Sequence, residues 1–174
     1  MSIRRLTPSD AVPYRALRLR SFHDHPEAFT SSYEEASLQP LAYSQKRLAA
    51  TSSAQFWGAF VHDQRTAAEQ LVGCVGLDRE QRIKSRHKAV VIGMYVAPEH
   101  ARRGLARALL DALLTEARAS DLELLVLTVT RGNREAEALY LRAGFVPYGI
   151  EPGAIKIGHQ RFDKQHMFLQ LVSS

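Results

Sequence analysis

Two groups of residues in this chain have the types and spacing that chemistry asks for. The first is the turn Ala101-Arg102-Arg103-Gly104-Leu105-Ala106, which follows an apolar run over residues 90–96 and opens directly into an amphipathic helix. A helix that begins this way leaves its first backbone N–H groups without intrahelical partners, and its dipole adds partial positive charge at the same end. That combination is a ready anion site, most often for phosphate. The second group is Asn133 and Tyr140, within one later helical stretch. An asparagine there can cap the helix by accepting from a backbone N–H, and a phenol is a weak acid able to hand over a proton.

Such groups need a frame to hold them. Residues 3–6 read as a short strand, and Ser9 or Asp10 caps a helix reaching about Phe22. Residues 23–40 are polar and turn-rich yet carry Phe29 and Tyr33, and a second helix fits 41–50. Residues 55–62, 70–79 and 87–96 are rich in β-branched and aromatic side chains and predict three meandering strands. Over 105–119, Leu105, Leu109 and Leu113 recur at helical spacing beside Leu110, Leu114 and Ala117, giving one wide apolar face. The continuous Leu/Val run at 122–129 predicts a strand buried on both sides. Asn133 opens a fourth helix that stops before Gly144. Residues 145–149 and 165–172 supply two more strands, with an irregular or hairpin-like excursion between them. The order predicts a single α/β domain over residues 1–174, a mixed sheet with helices on both faces. It is not the regular alternation of a doubly wound nucleotide-binding fold.

Composition narrows the partners. At 174 residues with 45% apolar side chains, the chain can bury a substantial core. No apolar run approaches the roughly 18 residues of a membrane span, and no hydrophobic segment follows the basic N-terminus, so neither membrane nor secretion is expected. Cys74 is the single cysteine. It cannot form an internal disulfide, belongs to no metal-binding pattern, and reads as a buried strand residue of a cytoplasmic protein. The net charge of +5 suits an anionic ligand and is too weak to argue for nucleic acid.

Together, the block from Val96 to Leu110 and the block Asn133-Arg134-Glu135-Ala136-Glu137-Ala138-Leu139-Tyr140-Leu141-Arg142-Ala143-Gly144-Phe145 resemble the GCN5-related N-acetyltransferase superfamily. In that family a Gln/Arg-x-x-Gly-x-Gly/Ala turn grips the coenzyme A pyrophosphate, and an Asn-x-x-Ala-x-x-x-Tyr-x-x-x-Gly-Phe helix lies beside the thioester. Ala101 departs from the first position of the turn, a change that backbone amides can tolerate. The resemblance implies a mostly antiparallel sheet of about six or seven strands with about four helices. It also implies an acetyl-CoA-dependent N-acetyltransferase (EC 2.3.1.-) and no metal. A milder likeness to small bacterial acetyltransferases runs through Arg18-Leu19-Arg20, residues 25–29, 32–35 and 154–158, and Met167-Phe168-Leu169.

Carried over residue by residue, the coenzyme is held by Arg102, Arg103, Gly104, Leu105 and Ala106. The main chain of Met94, Tyr95 and Val96 holds it where the strand splays from its neighbour, with Asn133 and Tyr140 alongside. Tyr140 is the general acid that protonates the leaving thiolate. Some relatives place a glutamate base at the position of Ile92. Glu34, Glu35, His87, Tyr95 or an ordered water remain open as substitutes. Phe29 and Tyr33 are the candidates to line the acceptor site. The basic stretch Arg79-to-Lys88 reads as a solvated hairpin tip. The acceptor is a primary amine on a small molecule or a protein, and a homodimer is an expectation from the relatives. A non-catalytic acyl-CoA-binding sensor or assembly module is the alternative reading.

Overall fold

The apolar strands pair into one seven-stranded sheet in this computed structural model, which describes residues 1–62 and 68–171. In chain order the elements are β1 (Ser2–Arg5), α1 (Ala11–Asp24), α2 (Tyr33–Ser37), α3 (Leu41–Arg47), β2 (Ala54–His62), β3 (Glu69–Arg79), β4 (Lys88–Val96), α4 (Leu105–Arg118), β5 (Leu124–Thr130), α5 (Arg134–Arg142), β6 (Val146–Ile157) and β7 (Gln160–Gln170). The spatial order is β1-β2-β3-β4-β5-β7-β6. Neighbours are antiparallel except β4 and β5, which run parallel over Lys88↔Leu124 to Val90↔Val126.

Both faces of the sheet are covered, which explains the unbroken apolar runs of β2 and β3. On one face α4 buries Leu105, Leu109, Leu110, Leu113, Leu114 and Ala117 against Val72, Val75, Leu125 and Leu127. Each leucine removed from water there contributes about 2 kcal/mol before the entropy of ordering is counted. On the other face α1 and the end of α3 pack Tyr14, Leu17 and Leu48 against Phe56, Phe60 and Cys74. Cys74 is wholly buried and unpaired, and burial pushes its thiol pKa up, so it behaves as a small apolar residue. No helix among the described residues is long and apolar enough to cross a membrane.

Two segments differ from expectation. The polar stretch 23–40 contains the short helix α2. The Ser32 Oγ accepts from Glu35 N at 3.1 Å, and the Glu35 carboxylate accepts from Ser32 N at 3.0 Å. This reciprocal capping organises a helix too short to show an apolar period. The expected excursion between two short final strands is instead a long hairpin. Pairing runs from Val146↔Phe168 to Ile157↔Gln160, with irregularities at Pro147/Gly149 and Glu151/Ile155 that interrupt its alternation. Val172, the expected end of the last strand, lies outside the described residues.

Candidate active site

The turn after β4 folds as an amide-lined loop. Arg102 has φ +60° and Gly104 φ +74°, so two residues in the left-handed region flank Arg103 and curl the chain. Ala101 N donates to Pro98 O at 3.1 Å, and the next backbone donor with a protein acceptor is Ala108 N, to Gly104 O at 2.9 Å. Among the described residues the six amides from Arg102 to Arg107 therefore have no protein partner. The side chains of Arg102 and Arg103 are exposed. A Cβ on Gly104 would meet nothing within 4 Å, so glycine serves the backbone conformation here, not a crowded contact. Curled amides at the start of α4 form a concave site of partial positive charge.

Behind this turn β4 opens. Its pairing with β5 ends at Val90↔Val126, and its pairing with β3 skips between Gly76↔Ile92 and Cys74↔Tyr95. Gly93 sits at that irregularity with φ +63°. The parting strands leave a cleft of about 440 Å³ between β4, β5 and the start of α5. Met94, Asn133, Ala136 and Tyr140 line it. Asn133 Oδ1 accepts from Ala136 N at 3.2 Å, so the asparagine does cap α5, while its amide nitrogen has no protein partner among the described residues. Tyr140 is buried edge-on to Phe145, ring centroids 5.8 Å apart. Its hydroxyl has no protein partner among the described residues, and it is not an enclosed orphan. The hydroxyl thus opens on the cleft. Burial raises the phenol's pKa, which keeps it protonated, the form a proton donor needs.

The Acetyltransferase (GNAT) family model matches residues 19–145, most of the chain and both motif blocks. The chain belongs to the GNAT acetyltransferase family. Solved structures agree on the fold. The GNAT-family acetyltransferase of Streptococcus pneumoniae is 24% identical with TM-score 0.78, covering 97% of this chain and 98% of that one. The yncA structure from Salmonella typhimurium, determined with its cofactor acetyl-CoA, is 20% identical with TM-score 0.78 over 100% and 95%. Arabidopsis thaliana NAA60, solved with a bisubstrate analogue, is 20% identical with TM-score 0.71 over 97% and 98%. No curated protein matches.

In this GNAT chain the structure brings some expected residues together and separates others. Val96, Arg102, Arg103, Gly104, Leu105 and Ala106 lie beyond the cleft lining, on the stretch that leads out of it. The Tyr95 side chain does not line the cleft: it packs in the core under α1, and its hydroxyl donates to Asp24 Oδ2 at 2.7 Å. Phe29 lines the cleft, edge-on to Phe22 at 5.5 Å. Tyr33 does not: it is exposed at the start of α2, with its ring against His23. Ile92 lines the cleft where a glutamate base would stand. Neither Glu34, Glu35, His87 nor Tyr95 does so. Arg79, in the basic stretch, is structural: it holds Asp121 at 2.7 and 2.8 Å and donates to Arg86 O.

Four charged cleft residues lie outside both motif blocks. Among the described residues Asp78 is the only carboxylate in the lining, with Oδ1 accepting from Ser53 Oγ at 2.8 Å. Its place at the end of the apolar run 71–77 was the one available cue. Lys164 is buried and donates to Ala28 O at 2.7 Å and Thr130 Oγ1 at 3.0 Å, pinning the turn that carries Phe29; burial lowers its pKa. Arg18 and Arg47 come from α1 and α3, far from both motifs.

Proposed function

We propose that the protein transfers the acetyl group of acetyl-CoA to a primary amine of a small molecule or protein, by direct attack in a ternary complex. The observation that carries this reading is the continuity of six unpaired amides, an opened strand and an unpartnered phenol. Diphosphate binding at the amides of Arg102 to Arg107 leaves the pantetheine arm to run along the free edge of β4 at Met94 and Val96. The thioester then reaches the cleft. There, main-chain donors of the parted strand polarise its carbonyl. The amine, freed of its first proton, attacks the carbonyl carbon; the C–S bond breaks, Tyr140 gives its proton to the departing thiolate, and the second proton that the nitrogen loses on becoming an amide restores the phenol. Asp78 is the group we assign to receive the amine's proton, directly or through one water.

Incubation with acetyl-CoA and a panel of primary amines should release free thiol only when a suitable amine is present. Coenzyme binding without thiol release across a broad panel would favour the sensor or assembly reading instead.

A further inference from the structure

Five arginines of this protein are neutralised by carboxylates of the fold. Arg4 pairs with Asp10, Arg20 with Glu99, Arg79 with Asp121, Arg107 with Asp111 and Arg131 with Asp163. Arg18 and Arg47 have no such partner, and they stand where charge is harder to solvate. Both are half-buried, and both line the cleft as well as an adjoining pocket of about 200 Å³ between α1, α2 and α3. Neither has a carboxylate at ion-pairing distance among the described residues.

The two are also held in place. Arg18 Nη1 donates to Gly93 O at 3.1 Å, and its guanidinium lies 4.7 Å from the ring centres of both Phe22 and Phe29. Its guanidinium also neighbours the uncharged Cys74 thiol, and among the described residues none of its nitrogens is buried without a partner. Arg47 lies over the Phe56 ring at 5.0 Å. A partly desolvated guanidinium without a counterion costs free energy, and one braced by rings and a carbonyl presents its remaining donors in a fixed fork. That fork matches a planar oxyanion.

Electrostatics point the same way. Among the described residues the cleft lining holds Arg18, Arg47 and Lys164 against Asp78 alone. An acceptor amine arrives as an ammonium. A purely cationic acceptor would be repelled, whereas one carrying its own negative charge would supply the missing counterion.

We propose that the acceptor carries an oxyanion beside its primary amine, as an amino acid does, and that Arg18 and Arg47 bind that oxyanion while the ammonium faces Asp78. This rests on the acetyltransferase reading above and names its substrate class.

The test is a rate comparison with acetyl-CoA as donor. Each of a set of L-amino acids is paired with its own carboxamide, and spermidine stands for amines without an oxyanion. For at least one pair, kcat/KM should favour the acid by about tenfold or more, because the amide leaves the arginines unpaired. Arg47→Gln should erase that preference through KM, with the acetyl-CoA Kd unchanged, and Arg47→Lys should recover part of it. Arg18→Lys, which keeps charge but not the fork, should also weaken the preference. Carboxamides or spermidine matching the acids, or a preference surviving both Arg47→Gln and Arg18→Lys, would overturn the proposal. That outcome still shows turnover. Silence from every amine would instead bring down the acetyltransferase reading, and this proposal with it.

Discussion

At Tyr140 the ring and the hydroxyl have separate surroundings, which lets the chemical role we propose be tested apart from the fold. Its ring is part of the core beside Phe145, but its hydroxyl serves no protein partner. Removing only that oxygen leaves no buried group unpaired, so the fold should not register the loss. Tyr140→Phe should therefore lower kcat by about a hundredfold or more while melting temperature is kept and acetyl-CoA affinity stays within about twofold. Undiminished turnover in steady-state kinetics would take Tyr140 out of the mechanism. The base we propose is legible only in three dimensions, because Asp78 reaches the cleft from β3 while the expected position on β4 holds Ile92.

Among the elements, the turn before α4 is the one we assign to coenzyme binding. Gly104 is left-handed with open space around its missing Cβ, so a side chain there costs backbone strain of about 1–2 kcal/mol and little else. Gly104→Val should reorient the amides and weaken acetyl-CoA binding by about tenfold or more in calorimetry, the equivalent of roughly 1.4 kcal/mol. Melting temperature should move by only a few degrees. Affinity equal to that of the unaltered protein would contradict the assignment of this turn. This element was legible because apolar strand, Gly104 and amphipathic α4 each leave a one-dimensional signature. So was the cap: Asn133 Oδ1 bonds Ala136 N, and Gly144 ends the helix at φ +97°. Less legible were α2, which relies on one reciprocal cap, and the β6–β7 hairpin, whose irregular register blurs its alternation. The proposed acceptor wall was hidden for another reason: Arg18, Arg47 and Lys164 meet only through long-range packing.

Across the whole molecule, the two helical layers are fastened near the site by ion pairs. Arg20 on α1 donates to both oxygens of Glu99, at 2.6 and 2.7 Å, in the short turn just ahead of the free amides. The Arg20 guanidinium pulls the Glu99 carboxyl down to about 2. A carboxyl whose pKa is lower in the folded state than in the unfolded chain stabilises the fold above its unfolded value. That contribution fades as pH falls from the ordinary carboxylate range towards 2. The pair is substantially solvent-exposed, so its contribution is about 0.5 kcal/mol. Glu99→Gln should melt slightly below the parent at neutral pH, and the gap should close on acidification. A gap that is constant with pH in thermal melts would show that the pair contributes nothing.

The amides of Arg102 to Arg107 carry the account as a whole, and they can be watched one by one. In an amide NMR titration with coenzyme A, these six resonances should show the largest shifts, moving downfield as they take up the diphosphate oxygens. If they stay in place while the coenzyme binds and perturbs other amides, the diphosphate sits elsewhere and the account fails.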